Sequence, residues 1–314
     1  MRKRKYNIND DYFEKIDTEP KAYILGLMYA DGCVYSSKGQ TKRAKIDLKS
    51  DDKYLLEEIA KEMNNENPIR TNTYYRKEYF SNQDKTYEFV HDMSRLWMNS
   101  NKIVDDLINA GCMSKKTYDL KFPTAKIVPD NLINHFIRGY FDGDGCISYS
   151  ARKSNHGERL HFSITFTGTY DLVSGIKRLL NENCCNFVGD IRSRYNNGVN
   201  NYTLTICGND ILLKICKYMY ENSTIKLNRK YDKYNLLIDE IKRRENNPYA
   251  YNKKQFELYK DGIYIDTFES AKFLEKISEE RFGVKLSRPQ ISMCLNGKYS
   301  KTNVYKGFTF KLIT

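Results

Sequence analysis

Two stretches of this chain repeat each other over a long interval. Ala22-Tyr23-Ile24-Leu25-Gly26-Leu27-Met28-Tyr29-Ala30-Asp31-Gly32-Cys33-Val34 is echoed by His135-Phe136-Ile137-Arg138-Gly139-Tyr140-Phe141-Asp142-Gly143-Asp144-Gly145-Cys146-Ile147. Asp31 and Asp144 correspond, a spacing of 144 − 31 = 113 residues. A period that long argues for a duplicated domain and against a solenoid of short stacked units.

The correspondence continues past the motif. After each Asp-Gly the pattern predicts a short strand, 33–36 and 146–149, then a second near 44–49 and 159–167. An amphipathic helix follows in each half, marked by Leu55, Leu56, Ile59 and Met63 and by Val173, Ile176, Leu179 and Leu180. A hairpin comes next, near 69–75 with 86–93 and near 188–195 with 202–207, the second joined through the turn signal Asn196-Asn197-Gly198. Helices near 101–110 and 210–220 close the halves, and another is predicted over 230–244. The expected fold is α+β: two pseudo-symmetric αββαββα subdomains, 1–120 and 121–245, with antiparallel saddle-shaped sheets covered by helices on one face.

Composition narrows the partner. Lys and Arg number 52 against 40 Asp and Glu, a net charge of +12, which points to a polyanion and first to nucleic acid. At 40% hydrophobic residues the chain can build a core, so wholesale disorder is excluded. No apolar run approaches the roughly 20 residues of a membrane span, and the basic N-terminus is followed by polar Asn7-Ile8-Asn9-Asp10-Asp11 where a signal peptide needs an apolar stretch. Eight scattered cysteines with no C-x-x-C read as reduced, mostly buried thiols and give little support to a structural zinc site. The expected location is the cytoplasm of a bacterial or phage host, or an organelle, and not the secretory route.

The segments 24–32 and 137–145 resemble the two signature motifs of the LAGLIDADG homing endonucleases. Gly139, Asp142, Asp144 and Gly145 match the family letters in the second copy, and Gly26, Leu27, Ala30, Asp31 and Gly32 in the first, where Tyr29 replaces an acid. The resemblance covers roughly residues 15–245. It implies a monomer in which one chain imitates the family's homodimers, and a site-specific double-strand DNA endonuclease acting on a long pseudo-palindromic target to promote mobility of its own intron or gene. It implies catalytic Asp31 and Asp144, a metal site of Asp31, Asp144, Gly32 and Gly145, and two or three Mg²⁺ ions, with Mn²⁺ or Ca²⁺ able to substitute in binding. By position, Lys116 and Lys230 would assist catalysis, and Lys49 and Thr167 would stand as the polar residues at the end of each second strand.

The residues support the same picture physically. Gly26 and Gly139 are small residues in the middle of apolar helices, which lets two backbones approach. Asp-Gly is a helix-stop signal, expected to place the glycine in the left-handed region. Packing the helices side by side brings Asp31 and Asp144 together, where two carboxylates about 5 Å apart repel by roughly 3 kcal/mol. Such a pair calls for cations, and hard oxygen donors suit Mg²⁺ with its waters and phosphates.

The hairpin strands carry candidate DNA-reading side chains at alternate positions: Arg70, Asn72, Tyr74 and Arg76 in the first half, and Arg192, Arg194, Thr203 and Thr205 in the second. Lys42, Arg43, Arg152, Lys153 and Arg159 are expected in connecting loops, positioned to grip phosphates. Past Asn246-Asn247-Pro248, residues 246–314 read as a separate module with 12 Lys and Arg against 7 Asp and Glu. Its segment 287–298 resembles the modular DNA-binding repeat, helix-turn-helix-like, appended to many intron-encoded nucleases, with Arg288, Gln290 and Lys298 as candidate contacts. Two other functions use the same scaffold: an RNA-binding group I intron maturase, with the intron RNA as partner, and a DNA-binding regulator without cleavage. An intein is disfavoured, since the chain lacks an N-terminal Cys or Ser nucleophile and a terminal His-Asn.

Overall fold

The computed structural model describes residues 4–36, 41–80, 84–113, 119–154, 157–195, 199–245, 255–268, 270–300 and 302–313. Lys116 and the Asn196-Asn197-Gly198 turn lie outside the described residues.

The first motif forms helix α1 (Glu19–Ala30), with a proline in its opening turn and every residue from Ala22 to Ala30 buried. Strands β1 (Gly32–Tyr35) and β2 (Arg43–Lys49), helix α2 (Lys53–Glu62), strands β3 (Arg70–Phe80) and β4 (Lys85–Met98) and helix α3 (Asn101–Asn109) complete the first half. The second motif forms α4 (Ile133–Asp144) and is followed by β5 (Gly145–Ser154), β6 (Gly157–Gly168), α5 (Tyr170–Asn183), β7 (Asp190–Ser193), β8 (Tyr202–Cys207), α6 (Asn209–Tyr220) and α7 (Asn228–Glu245).

Each half builds an antiparallel four-stranded sheet with the same strand order, β1-β2-β4-β3 and β5-β6-β8-β7. The alternation predicted for the strands is present: Ile46, Leu48, Leu96 and Met98, and likewise Ile164, Phe166, Leu204 and Ile206, turn inward and are buried. Their neighbours in sequence form the outer faces. One hydrophobic core runs from Ile8 to Ile241, and Met1–Lys242 form a single compact body. The expected division at 120 falls inside that body, because α1 and α4 bury their surfaces against each other.

Hairpin lengths differ from the sequence expectation. In the first half the short pair is β1–β2 and the long pair β3–β4, registered from Arg70↔Arg95 to Phe80↔Lys85. In the second half the long pair is β5–β6, and β7–β8 registers only from Asp190↔Thr205 to Ser193↔Tyr202. Arg43, Arg152, Lys153 and Arg159, expected in loops, therefore lie within strands. Lys42 pairs with Asp105.

The second compact unit, Arg243–Thr314, holds strands β9 (Phe256–Lys260) and β10 (Ile263–Phe268), helices α8 (Ala271–Phe282) and α9 (Arg288–Leu295), and strand β11 (Phe308–Leu312). Its sheet order is β10-β9-β11, over its own core of Phe256, Leu258, Leu274, Leu286, Ile291 and Phe308. Asp261-Gly262 takes φ of 51° and 81°, the conformation a tight two-residue hairpin needs. The Ser270 hydroxyl accepts from the Phe273 N–H and starts α8, which runs past the expected end at 276 to Phe282 and stops at Gly283 with φ 67°.

Candidate catalytic and nucleic-acid-binding site

The two motif helices touch backbone to backbone. A Cβ on Gly26 would fall 2.1 Å from the Phe136 carbonyl oxygen, and one on Gly139 would fall 1.9 Å from that of Tyr23. Only glycine permits this approach at both crossing points, so the pair is held at mid-length and its C-terminal ends are brought together.

At those ends stand the two acids. Asp31 caps α1, its N–H donating to the Leu27 carbonyl at 2.8 Å, and Asp144 is the last residue of α4. Asp31 Oδ2 lies 3.1 Å from where a Cβ on Gly143 would be, so the first acid rests on the end of the opposite helix. Both carboxylates act on the Tyr140 phenol. Burial raises its pKa well above the usual value, and the Asp144 charge, a hydrogen bond with Asp144 and the Asp31 charge raise it further. The same hydroxyl donates to the Thr167 carbonyl at 2.5 Å. Beside Asp144 a cavity of about 270 Å³ is lined by Tyr140, Thr167, Arg194 and Asn201.

Among the described residues no group of three or more His, Cys, Asp and Glu is placed to hold a metal. Asp31 and Asp144 supply two hard oxygen donors at the negative ends of two helices, and Gly143 lets the end of α4 pack directly on Ala30 beside Asp31. This donor set fits an ion such as Mg²⁺, which binds through one or two carboxylates and completes its shell with water and phosphate.

The duplication is also visible by comparison with known proteins. A family described as the LAGLIDADG-like domain matches residues 18–104 and again 131–220. The chain belongs to the LAGLIDADG family. The two matches contain α1 and α4 in equivalent places. Among solved structures the chain is similar to the I-LtrWI LAGLIDADG homing endonuclease bound to target DNA, at 16% identity over 76% of this chain and 93% of that one, TM-score 0.45. It is also similar to the I-SmaMI meganuclease bound to uncleaveable DNA, at 12% identity over 74% and 93%, TM-score 0.47. A structure of I-SmaMI with uncleaved DNA in the presence of calcium ions matches at 12% identity over 74% and 95%, TM-score 0.41. No curated protein matches the chain by sequence.

Around the LAGLIDADG helices several expectations are revised. The glycines after the two acids are not left-handed. Gly145 is extended, with φ −89°, and Gly32 opens β1 opposite Ile46. They are required for space instead: a Cβ on Gly32 would lie 2.6 Å from the Met28 carbonyl oxygen, and one on Gly145 2.2 Å from the Phe141 ring. Lys230 is directed onto main-chain carbonyls at the end of α4, and the Asp31 charge is among those that act on it. Its ammonium donates to the backbone carbonyls of Phe141, Asp142 at 2.8 Å, Gly143 at 3.5 Å and Gly145 at 2.6 Å. It caps the C-terminus of α4, satisfying acceptors that a helix end leaves open. The Gly145 carbonyl, expected at the metal site, accepts one of these bonds. Burial lowers the Lys230 pKa to about 8, while the Asp142 charge pulls it back up.

Asp142, a motif letter, is fully buried and structural. It accepts from the hydroxyls of Tyr23 at 2.9 Å and Tyr220 at 2.7 Å and from the Leu227 N–H at 2.9 Å. Burial raises its pKa, and the Lys230 charge and these hydrogen bonds oppose that rise. Tyr29, which stands in its place in the first half, donates to the Ala110 carbonyl at 2.5 Å. Each sixth motif position therefore ties its LAGLIDADG helix to the segment that ends its own half.

The cross-strand pairs also reassign the polar residues on the second strands. Gly32 pairs with Ile46 and Gly145 with Phe166, so the first-half counterpart of Thr167 is Asp47 and not Lys49. Lys49 closes β2 and is exposed. Arg70, Asn72, Tyr74 and Arg76 share the outer face of β3, opposite Arg95, Met93, His91 and Phe89. Tyr74 stacks on His91 with ring centroids 5.8 Å apart. In the second half Thr203 and Thr205 lie on the outer face between buried Leu204 and Ile206. Arg192 lies opposite Thr203 and pairs with Asp190 at 3.0 Å, while Arg194 lies past the end of β7 and reaches the cavity beside Asp144. In the C-terminal unit Arg288 and Gln290 sit in α9, and Lys298 follows it. Sequence reading missed Asp47, Arg95 and Trp97. Their signal was alternation continuing through Ser94-Arg95-Leu96-Trp97-Met98, past the point where the strand was expected to end.

Proposed function

We propose that this LAGLIDADG protein is a metal-dependent endonuclease that cuts both strands of duplex DNA at a long, specific, pseudo-palindromic site and so promotes mobility of the intron or gene that carries it. The observation that supports this most is the meeting of Asp31 and Asp144 at the ends of helices held together through Gly26 and Gly139. The outer sheet faces beside them carry Arg43, Lys45, Arg70 and Arg95 in one half and Arg192 with a row of threonines in the other.

Asp31 and Asp144 would hold the divalent ions, Mg²⁺ in the cell with Mn²⁺ or Ca²⁺ able to replace it in binding. A bound ion of this kind lowers the pKa of water and neutralises charge developing on the leaving oxygen. The chain's own residues supply the geometry. The Tyr140 hydroxyl stands between the Thr167 carbonyl and the Asp144 carboxylate and shares its single proton between these two acceptors. Lys230 fixes the last turn of α4, from which Asp144 projects. Basic side chains on the outer faces bind phosphates and base edges, and a duplex seated there presents one phosphodiester of each strand to the two acids.

The test is selection of cleaved sites from a random DNA library with Mg²⁺. Wild type should yield one enriched site, cut on both strands. Asp31→Asn and Asp144→Asn should each bind the same site in Ca²⁺ and leave it uncut. Cleavage unaffected by either substitution would reject the site. Acceleration of intron RNA splicing with no DNA cleaved or bound would replace the nuclease reading with the maturase one.

A further inference from the structure

The two outer sheet faces are related by register but not by chemistry. Stepping from the matching pairs Gly32↔Ile46 and Gly145↔Phe166, Lys45 corresponds to Thr165, Asp47 to Thr167, Arg95 to Thr203 and Trp97 to Thr205. One half presents two cations, an acid and an indole where the other presents four threonines.

In the first half these side chains are organised as a unit. Arg95 Nε and Nη2 donate to the two oxygens of Asp47 at 2.6 and 2.8 Å, a two-pronged pair, and Lys45 donates to the same carboxylate at 2.6 Å. Arg95 Nη2 also donates to the Tyr74 hydroxyl at 3.2 Å. The guanidinium lies 5.6 Å from the Trp97 ring centre, and Arg43 stacks on that ring at 4.5 Å. Arg95 and Asp47 keep side-chain exposures of only 24% and 22%. An arginine on an open sheet samples many rotamers and loses that freedom on binding, whereas this one is already held. With Nε and Nη2 engaged, the Nη1 edge of the fork is the one available to donate outward among the described residues.

We propose that Arg95, oriented by Asp47, reads a guanine in the major groove of one half-site, and that the threonine row gives the other half-site a different base preference. The target is then symmetric in spacing but not in sequence. This rests on the duplex-DNA reading proposed above. Guanine presents N7 and O6 as acceptors for the two N–H groups of Nη1, while threonine offers a hydroxyl that suits several edges and a methyl that packs on the thymine methyl. Asp47 acts as a positioning residue. Its oxygens are taken up by two cations, so it does not meet the bases as a bare carboxylate.

The test is a binding selection with the full chain in Ca²⁺, using duplexes with a randomised core. Wild type should enrich a site with guanine at one inner position of one half and no complementary cytosine at the symmetric position of the other. Arg95→Ala should lower discrimination for that guanine about tenfold or more, at that position alone. Arg95→Lys should not restore it, because an ammonium cannot hold Asp47 on one edge and donate outward from another. Asp47→Asn should keep the guanine with weaker enrichment, and Thr203→Val with Thr205→Val should change only the other half-site. A two-fold symmetric site, or a guanine preference unchanged in Arg95→Ala, overturns this inference while leaving DNA binding intact. Enrichment of no duplex at all overturns the DNA reading beneath it.

Discussion

Gly139 rests on the main chain of Tyr23 so closely that a Cβ on the glycine would fall 1.9 Å from the Tyr23 carbonyl oxygen. The obstacle is backbone, which cannot swing aside as a side chain does. Gly139→Ala must therefore push the two LAGLIDADG helices apart. We expect a loss of about 3 kcal/mol or more of stability, at or beyond the upper end of ordinary overpacking, measured by urea unfolding. Cleavage should fall further than stability, because the same shift separates Asp31 from Asp144. A variant with wild-type stability would show that the helix crossing is looser than described.

Lys230 distinguishes a structural lysine from one that acts on the phosphate. Its removal leaves buried carbonyl acceptors at the end of α4 without a donor, and each such loss costs about 1–3 kcal/mol. Lys230→Met should lower the unfolding free energy by about 2 kcal/mol or more in the absence of DNA and metal. If only cleavage fell and the urea midpoint stayed in place, the capping role would be wrong.

A buried cluster at the other end of the helix pair sets a pH dependence. His135 Nδ1 meets the Arg138 guanidinium, which also donates to the Met219 carbonyl at 3.0 Å and pairs with Glu19. Burial, followed by the Arg138 charge, lowers the His135 pKa from 6.5 to about 4. Between those values the unfolded chain binds the proton and the folded chain does not. Stability is therefore complete above about pH 6.5 and falls as the pH drops toward 4, by up to about 1.4 kcal/mol per pH unit. Urea titrations of His135→Gln across this window should show a shallower slope than wild type. Parallel slopes would mean that His135 titrates normally in the fold.

Native reporters sit on the outer faces. Cys33 and Cys146 are exposed at equivalent positions, directly after the glycines that follow the acids, and Trp97 is the single tryptophan of the chain. Bound duplex should slow maleimide labelling of both thiols and change Trp97 fluorescence, while buried Cys112, Cys216 and Cys294 stay unreactive throughout. Labelling of Cys33 and Cys146 at the same rate with and without saturating duplex would place DNA elsewhere.

The C-terminal unit has its own core and its own excess of basic residues. Ending the chain after Glu245 should leave the urea unfolding of the first body intact. The truncated protein should bind its DNA site more weakly, and the dependence of log affinity on log salt should flatten, because fewer counterions are released. An unchanged salt slope would make the unit a structural appendage.

Much of this protein was legible in the chain. The 113-residue echo, the paired glycines, the acids that follow them and the strand alternation are local patterns, and local patterns predict local structure. Inward positions such as Ile46, Ile164, Leu204 and Ile206 were readable for that reason. The two glycines after the acids illustrate the limit. Their presence was a correct stop signal, but the cause is crowding by Met28 and Phe141 and not a left-handed turn.

Repetition and patterning alone thus established the duplicated α+β scaffold and which acids would meet, because helix and strand periods are written in consecutive residues. Folding in three dimensions settled the rest. It turned Lys230 onto carbonyls 85 to 89 positions away, made Asp47 the partner of Arg95 across 48 positions, and gave the long hairpin to opposite ends of the two halves. Those outcomes depend on cross-strand register and on which buried polar groups find donors, and both are decided by contacts between residues far apart in the chain.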